Sequence, residues 1–346
     1  MTSNLSEKSF GIIGAGRMGR AHIQAAQSLG MVCKFICDVD HSNLTAAKDI
    51  CNASETKIFE SLEKLQAEFV STDLVVVATT TDVRANIVQM FASKPIQAIL
   101  CEKPMASSVY ECSSMIELCR KAGIRLAVNH QMRYMDQYTI IADALKSGRY
   151  GELCSMTVVG GCFGLAMNGS HYIEAFNWLS NSTPKAVTAW FAKSDLPNPR
   201  GPHFRDQAGE ARLISTSGQR LLLNCGVDQG HGMTVVYATS YGHLFVDELN
   251  GYCHGAYRKE KYRDLPSTRY GMPVEEDRIT FDPADNIHPT SRVISDLMLD
   301  ANYPDGNAGK NVVSSLVAMW ESVDSGNSTV TVSKLGNKVK RKLPWA

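Results

Sequence analysis

Two patterns of apolar positions divide the chain. In the first, short unbroken apolar runs alternate with stretches whose apolar residues recur every three or four positions. Residues 10–14, 32–37, 74–78, 98–101 and 126–128 are such runs and read as buried strands. Between the first two, Met18, Ala21, Ala25 and Leu29 fall at helical spacing over 17–29, and Gly30 is placed to end that helix. Ser108 and Glu111 form a capping box opening a helix that runs to about residue 123. Strands alternating with helices predict βαβ units, and so a doubly wound parallel sheet with helices on both faces.

After about residue 150 the pattern changes. Strand-like segments at 156–159, 186–191, 211–214, 221–223, 233–237 and 244–246 follow one another mostly through Gly- and Ser-containing turns. This predicts a largely antiparallel sheet. Helical segments at 172–179, 290–299 and 309–325 bracket it, and residues 197–209, with three prolines, read as a surface loop. The expected fold is therefore α/β: a parallel-sheet domain over 1–125, an α+β domain over 126–330, and a tail over 331–346.

Composition narrows the function. With 44% hydrophobic and 20% charged residues the chain is an ordinary globular protein and not a disordered one. Lys+Arg and Asp+Glu both number 35, and this zero net charge argues against a dedicated nucleic-acid binder. The first ten residues hold no apolar core of a signal peptide and no run approaches a membrane span, so a cytoplasmic protein without membrane contact is expected. The ten cysteines are scattered, without a Cys-x-x-Cys pair. Cys112 and Cys119 share a helical face with Val109 and Ile116, so they read as reduced core residues.

The first strand runs into Gly14, Ala15, Gly16, Arg17, Met18 and Gly19, a G-x-G-x-x-G between strand and helix, with Asp38 about 20 residues on at the end of the next strand. Gly14 permits the tight turn, Gly16 lets backbone approach a pyrophosphate, and Gly19 lets helix and strand pack closely. The helix N-terminus offers N–H groups to phosphates. Asp38 suits the adenine ribose hydroxyls and repels a 2′-phosphate, which favours NAD over NADP. Residues 1–125 thus read as the nucleotide-binding half. Lys103, after the strand at 98–101 and followed by Pro104, sits where a doubly wound sheet places side chains into the cofactor crevice.

These motifs resemble the glucose–fructose oxidoreductase / inositol dehydrogenase / rhizopine-catabolism (Gfo/Idh/MocA) family. The resemblance rests on the glycine motif, residues 37–40, 77–79, Cys101 to Pro104, residues 128–134, residues 169–174 with Trp178 and Leu179, and residues 318–322 in the last helix. It implies a Rossmann domain joined to a substrate domain. It also implies NAD-dependent hydride transfer to or from a carbinol or keto carbon of a sugar, polyol or derivative, a nucleotide-linked or acidic one included. In that reading Lys103 hydrogen-bonds the reacting oxygen and His171 is the acid/base. Thr79, Thr80, Glu102 and Lys103 join the glycine motif and Asp38 in holding the cofactor, Lys103 by orienting the nicotinamide side. Arg133, Tyr134, Asn168, Tyr172 and Glu174 edge the substrate pocket. The sheet's other face carries contacts between copies, so a homodimer or homotetramer is expected.

The chain departs from the family at three places. Met167 stands where an aspartate is common four residues before the histidine, Thr80 and Thr81 replace an apolar-Pro stretch, and Arg84 takes a common histidine position. Two alternatives stay open beside the dehydrogenase: an NAD-retaining glycosidase and a non-catalytic dinucleotide sensor. Arg200, His203 and Arg205 suit a carboxylate or phosphate, although a solvated loop weighs more. Asp228, His231 and His254 lack metal-ligand spacing, so no metal is expected. The basic tail, with Lys334, Lys338, Lys340, Arg341 and Lys342, reads as a solvated terminus or an oligomer contact.

Overall fold

A computed structural model describes residues 5–51, 55–161, 163–196, 200–282 and 285–345. The first part of the chain runs β1 (Ser9–Ile13), α1 (Arg17–Ser28), β2 (Val32–Cys37), α2 (His41–Ile50), β3 (Lys57–Phe59), α3 (Leu62–Ala67), β4 (Leu74–Val77), α4 (Thr81–Phe91), β5 (Ala98–Cys101), α5 (Val109–Ala122) and β6 (Arg125–Val128). The six strands form one parallel sheet in the order β3-β2-β1-β4-β5-β6. β6 belongs to it, so the sheet extends past the expected boundary at 125. The strands are apolar throughout because both faces are covered. Leu74 and Val76 enter one core, Val75 and Val77 the other, and Ala98 and Leu100 alternate in the same way with Ile99 and Cys101. α5 starts with the Ser108 hydroxyl accepting from the Glu111 N–H, but the Glu111 carboxylate turns to Ser107 and Lys342, so half of the capping box forms. Gly123 closes the helix at φ 69°.

The second part runs α6 (Asp136–Lys146), β7 (Leu153–Gly161), α7 (Gly169–Leu179), β8 (Pro184–Leu196), β9 (Asp206–Ser215), β10 (Arg220–Gly226), β11 (Thr234–Thr239), β12 (Gly242–Asp247), β13 (Tyr252–Arg258), β14 (Val274–Thr280), α8 (Ile287–Met298), α9 (Gly306–Asp324) and β15 (Val330–Thr331). Its nine strands order as β14-β13-β12-β11-β7-β10-β9-β8-β15, antiparallel except for the β7–β10 pair. Here apolar and polar residues alternate because α7 and α9 cover one face only. Leu221, Leu223, Leu244 and Val246 point into the core, while Leu222 and Phe245 stand on the open face with Trp190. β13 and β14 had no strand signature strong enough to predict.

Three expectations change. β9 begins at Asp206, so the surface loop of 197–209 is shorter than its prolines suggest. α8 returns to the first sheet, where Val293, Ile294 and Leu297 share a core with Ile12 and Ile23. The basic tail is docked rather than solvated. Lys338 and Arg341 pair with Glu321 of α9, and Lys342 with Glu111 of α5. Beyond them Trp345 is 1% exposed: its indole N–H donates to the Ala106 carbonyl, and its own carbonyl accepts from the Thr81 hydroxyl at 2.6 Å. The Arg205 N–H donates to the Pro344 carbonyl. This segment therefore joins the parallel-sheet half to the loop before β9. Among the described residues no helix is long and apolar enough to cross a membrane. None of the nine described cysteines is in a disulfide, and Cys162 lies outside the described residues.

Candidate active site

The order of strand addition reverses between β1 and β4, which opens a crevice above their C-terminal ends. Gly14, at φ 89°, turns the chain there. A Cβ on it would lie 2.8 Å from the Ala78 and Thr79 backbone. A Cβ on Gly19 would lie 1.9 Å from the Gly14 carbonyl oxygen, so α1 sits directly against the turn. Gly16 differs: nothing stands within 4 Å of the place its Cβ would take. That open space faces the first turn of α1, whose N-cap is Gly16 and carries no side-chain cap. Asp38, at the end of β2, accepts from the Ala15 N–H at 2.6 Å and the Asp40 N–H at 2.8 Å. It holds the glycine turn and stands beside it. These residues fit a dinucleotide: open backbone at the helix start, close packing elsewhere, and a carboxylate beyond the second strand. Arg17 and Met18 lie in the first turn of the same helix.

The loops after β4 and β5 are tied together by Arg84. It is fully buried on α4 and donates to the carbonyls of Thr79, Glu102 and Pro104. Three carbonyls on one guanidinium satisfy a charge that burial alone would make costly. Burial lowers its pKa to about 10. Thr79 thus contributes its carbonyl inward, its hydroxyl donates to the Thr80 carbonyl, and Thr80 directly precedes α4. Glu102 points inward, 1% exposed, and meets His22 Nε2 and the Asn129 amide, each at 2.8 Å. Burial pushes its carboxyl up, but His22, Lys103 and Asn129 outweigh burial and hold it well below the usual range. Glu102 therefore supports the Lys103 loop from beneath as a buried anion.

Lys103, joined to Pro104 by a cis peptide bond, is half-buried and reaches across the crevice, where Nζ donates to the Met167 carbonyl at 2.5 Å. Desolvation lowers its pKa to about 8, with Arg200 and Arg84 acting the same way and Glu102 and Asp206 opposing. His171, in the first turn of α7, is 8% exposed, and its ring lies 6.0 Å from that of His130. Burial, Lys103 and His130 drive its pKa well below the ordinary value, so the imidazole is neutral. His130 is lowered to about 3 by burial together with Arg133 and Lys103. Both ring nitrogens of His130 and Nδ1 of His171 are buried without a partner.

The expected substrate residues divide. Asn168 stands at the N-terminal boundary of α7 without a side-chain capping bond, and its backbone carbonyl accepts from the His171 N–H at 3.0 Å. Arg133 and Glu174 form a buried ion pair, with the guanidinium 5.7 Å from the Trp178 ring, and both line a cleft of about 270 Å³ with Asn177 and Asn311. Tyr134 and Tyr172 do not fit a pocket edge. Tyr134 donates to Asp296 and the Asn302 carbonyl, and Tyr172 donates to Glu248 at 2.9 Å in the core. Both hydroxyls are engaged with partners outside the crevice, Tyr134 half-buried and Tyr172 fully buried. Arg200 interacts electrostatically with Glu102 and Arg17, so it lies at the crevice, whereas His203 packs on Phe204. Asp228, His231 and His254 do not converge: His231 bonds the Gly232 carbonyl and His254 faces Glu276.

Sequence reasoning missed His22, Asn129, His130 and Asp206. Asn129 and His130 stood inside a recognised motif without an assigned role. Asp206 was taken for part of a loop.

Comparison with known proteins decides the lineage. Residues 8–130 match the model of the Gfo/Idh/MocA oxidoreductase family with an NAD-binding Rossmann fold. The match covers the nucleotide-binding half, from β1 to β6. D-apiose dehydrogenase of Paraburkholderia graminis is 28% identical over 43% of this chain and 39% of its own length. Inositol 2-dehydrogenase of Rhizobium meliloti is 27% identical over 43% of this chain and 44% of its own length. The chain thus spans about two fifths of these curated relatives. The whole fold recurs in an Agrobacterium radiobacter oxidoreductase crystallised with NAD+, L-tartaric acid and magnesium. That structure has a TM-score of 0.79 at 16% identity and covers 95% of this chain and 99% of its own.

Proposed function

We propose that the protein is an NAD-dependent dehydrogenase acting on a secondary hydroxyl, or the matching ketone, of a sugar, polyol or sugar derivative. The observation that carries this reading is Lys103, a desolvated amine with a pKa of about 8 at the edge of a dinucleotide crevice. A general acid/base works best when its pKa lies near the working pH. The relatives named above act on apiose and inositol by their names, which supports the substrate class.

NAD, when bound, supplies the hydride acceptor. The glycine turn, Ala15, Arg17 and Met18 hold its phosphates, Asp38 its adenine ribose, and Thr79 and Thr80 border its nicotinamide end. In the oxidative direction neutral Lys103 keeps one N–H on the Met167 carbonyl, which aims its lone pair at the substrate hydroxyl and lets it take the proton. In reduction the ammonium returns that proton to the carbonyl oxygen. His171 was expected to be the acid/base. Its burial argues for a neutral imidazole that orients the hydroxyl, with Asn168 beside it, and leaves the proton to Lys103. Arg133 and Glu174, paired and bordering the neighbouring cleft, shape the distal part of the substrate site.

We further propose that the chain divides functionally near the end of β6 and that two copies associate through the open sheet face bearing Trp190, Leu222 and Phe245. Fluorescence titration with NADH and NADPH, then nicotinamide absorbance against polyols, sugars, sugar acids and nucleotide sugars, tests the reading. Tight NADH binding with turnover on one class is expected. Binding without turnover on any would overturn the dehydrogenase assignment.

A further inference from the structure

The carboxylate of Asp206 makes an unusual connection. It is 5% exposed, at the first residue of β9, and it spans two successive peptide N–H groups. Oδ1 accepts from Ala166 at 2.8 Å and Oδ2 from Met167 at 3.0 Å. These belong to the turn that carries the Met167 carbonyl, the acceptor for Lys103 Nζ. The Ser170 hydroxyl donates to that same carbonyl at 3.2 Å. Gly164 makes room for the arrangement, since a Cβ there would lie 2.0 Å from the Asp206 carboxyl carbon.

We propose that Asp206 is the positioning residue for Lys103: it clamps the 164–168 turn so that the Met167 carbonyl holds the amine, and it lends the amine a negative neighbour. This rests on the reading of Lys103 as the group that handles the proton. At position 167 the chain uses its backbone carbonyl, and the charge that the side chain lacks arrives from a strand 39 residues away in sequence.

The field at Lys103 comes from several elements. Glu102 lies on its own loop, Arg84 on α4, Arg200 in the loop before β9, and Asp206 on β9. His171 on α7 and His130 after β6 face it as neutral rings. Glu102 is already shared among His22, Asn129 and the Lys103 N–H. Asp206 is therefore the anion that the opposite wall sets against the two arginines. Its own carboxyl is pushed up by burial and held back by the two N–H donors and Lys103.

The test is a pH titration of lysine amines by ¹³C NMR on ε-¹³C-lysine-labelled full-length protein, with Lys103 assigned by the signal lost in Lys103→Arg. A midpoint near 8 is expected, moving down by about one pH unit in Asp206→Asn, because an opposite charge nearby favours the charged amine. The ascending limb of the oxidation rate should move by the same amount, while NADH affinity stays within about twofold, as a loss of stability alone would not produce. An unmoved midpoint in folded Asp206→Asn overturns the proposal. If that variant does not fold, wild-type protein labelled at aspartate carboxyl carbons decides. The Asp206 signal must shift with the Lys103 midpoint, and a flat signal overturns the link. A lysine midpoint that responds to Asp206 in a protein without turnover on any substrate leaves the positioning role standing and removes only the dehydrogenase reading.

Discussion

The two walls of the crevice are built on different length scales. The cofactor wall is local: Gly14, Gly16, Gly19 and Asp38 act on one another within 25 residues of chain, through close backbone approaches and one carboxylate. The reaction wall is assembled from afar. Lys103 reaches Met167 across 64 residues, Met167 leans on Asp206 across another 39, and Asn129 meets Glu102 across 27. Spacing in a sequence reports the first kind of wall, because a tight turn or helix start dictates residue types at fixed offsets. It reports the second kind only at residues whose neighbours carry their own local signal, as Lys103 and His171 do.

The sharpest way to break this contrast is to remove the lysine. Lys103→Ala should cut turnover by about 10²–10⁴-fold while NADH titration shows nearly unchanged affinity, since the cofactor wall does not depend on it. A variant that lost both equally would mean the walls are one unit. Next in size is the seam. Trp345→Ala should cost about 3–5 kcal/mol of unfolding free energy in a denaturant titration, as for other large buried side chains. Its two hydrogen bonds join residues 81 and 106 to the chain that docks on the loop before β9.

Within the cofactor wall the glycines should behave unlike one another. Gly19→Val drives a side chain into the Gly14 carbonyl and should lower both melting temperature and NADH affinity. Gly16→Ala meets empty space and should leave melting nearly unchanged while weakening NADH by about tenfold, the signature of a space reserved for a ligand. The smallest effect is graded. Oxidation should rise with pH up to about 8 and then level off, because Lys103 must be neutral to accept a proton and its pKa is lowered to that region. Reduction should fall over the same interval. A profile governed in the acid range, below the ordinary histidine value, would return the proton to His171.

The doubly wound half was legible because both faces of its strands are buried, so residues 74–77 and 98–101 are apolar without interruption. The nine-stranded sheet was legible where alternation is strong, as at 221–223. It was illegible at β14, whose Glu275, Glu276, Asp277 and Arg278 lie on an edge strand and look like a solvated loop. Asp206 was hidden by its surroundings, since three prolines and Gly201 before it and Gly209 after it signal a turn. His22 was hidden by its helix, where one polar residue on an apolar face gives no hint of a buried carboxylate 80 residues away. Tyr134 and Tyr172 misled in the other direction: sequence neighbours of site residues, they spend their hydroxyls on packing.

Arg84 has a mechanical consequence. Because one rigid guanidinium grips carbonyls on both the β4 and β5 loops, the rim after β4 and the rim that carries Lys103 cannot be adjusted separately. An engineer who grafts a new β4 loop to change cofactor preference inherits the old spacing to Lys103 as long as Arg84 stays, and loses both registers if it goes. The crevice is tuned as a pair of rims riveted at one point, so productive redesign there has to exchange residues 79–84 and 102–104 together.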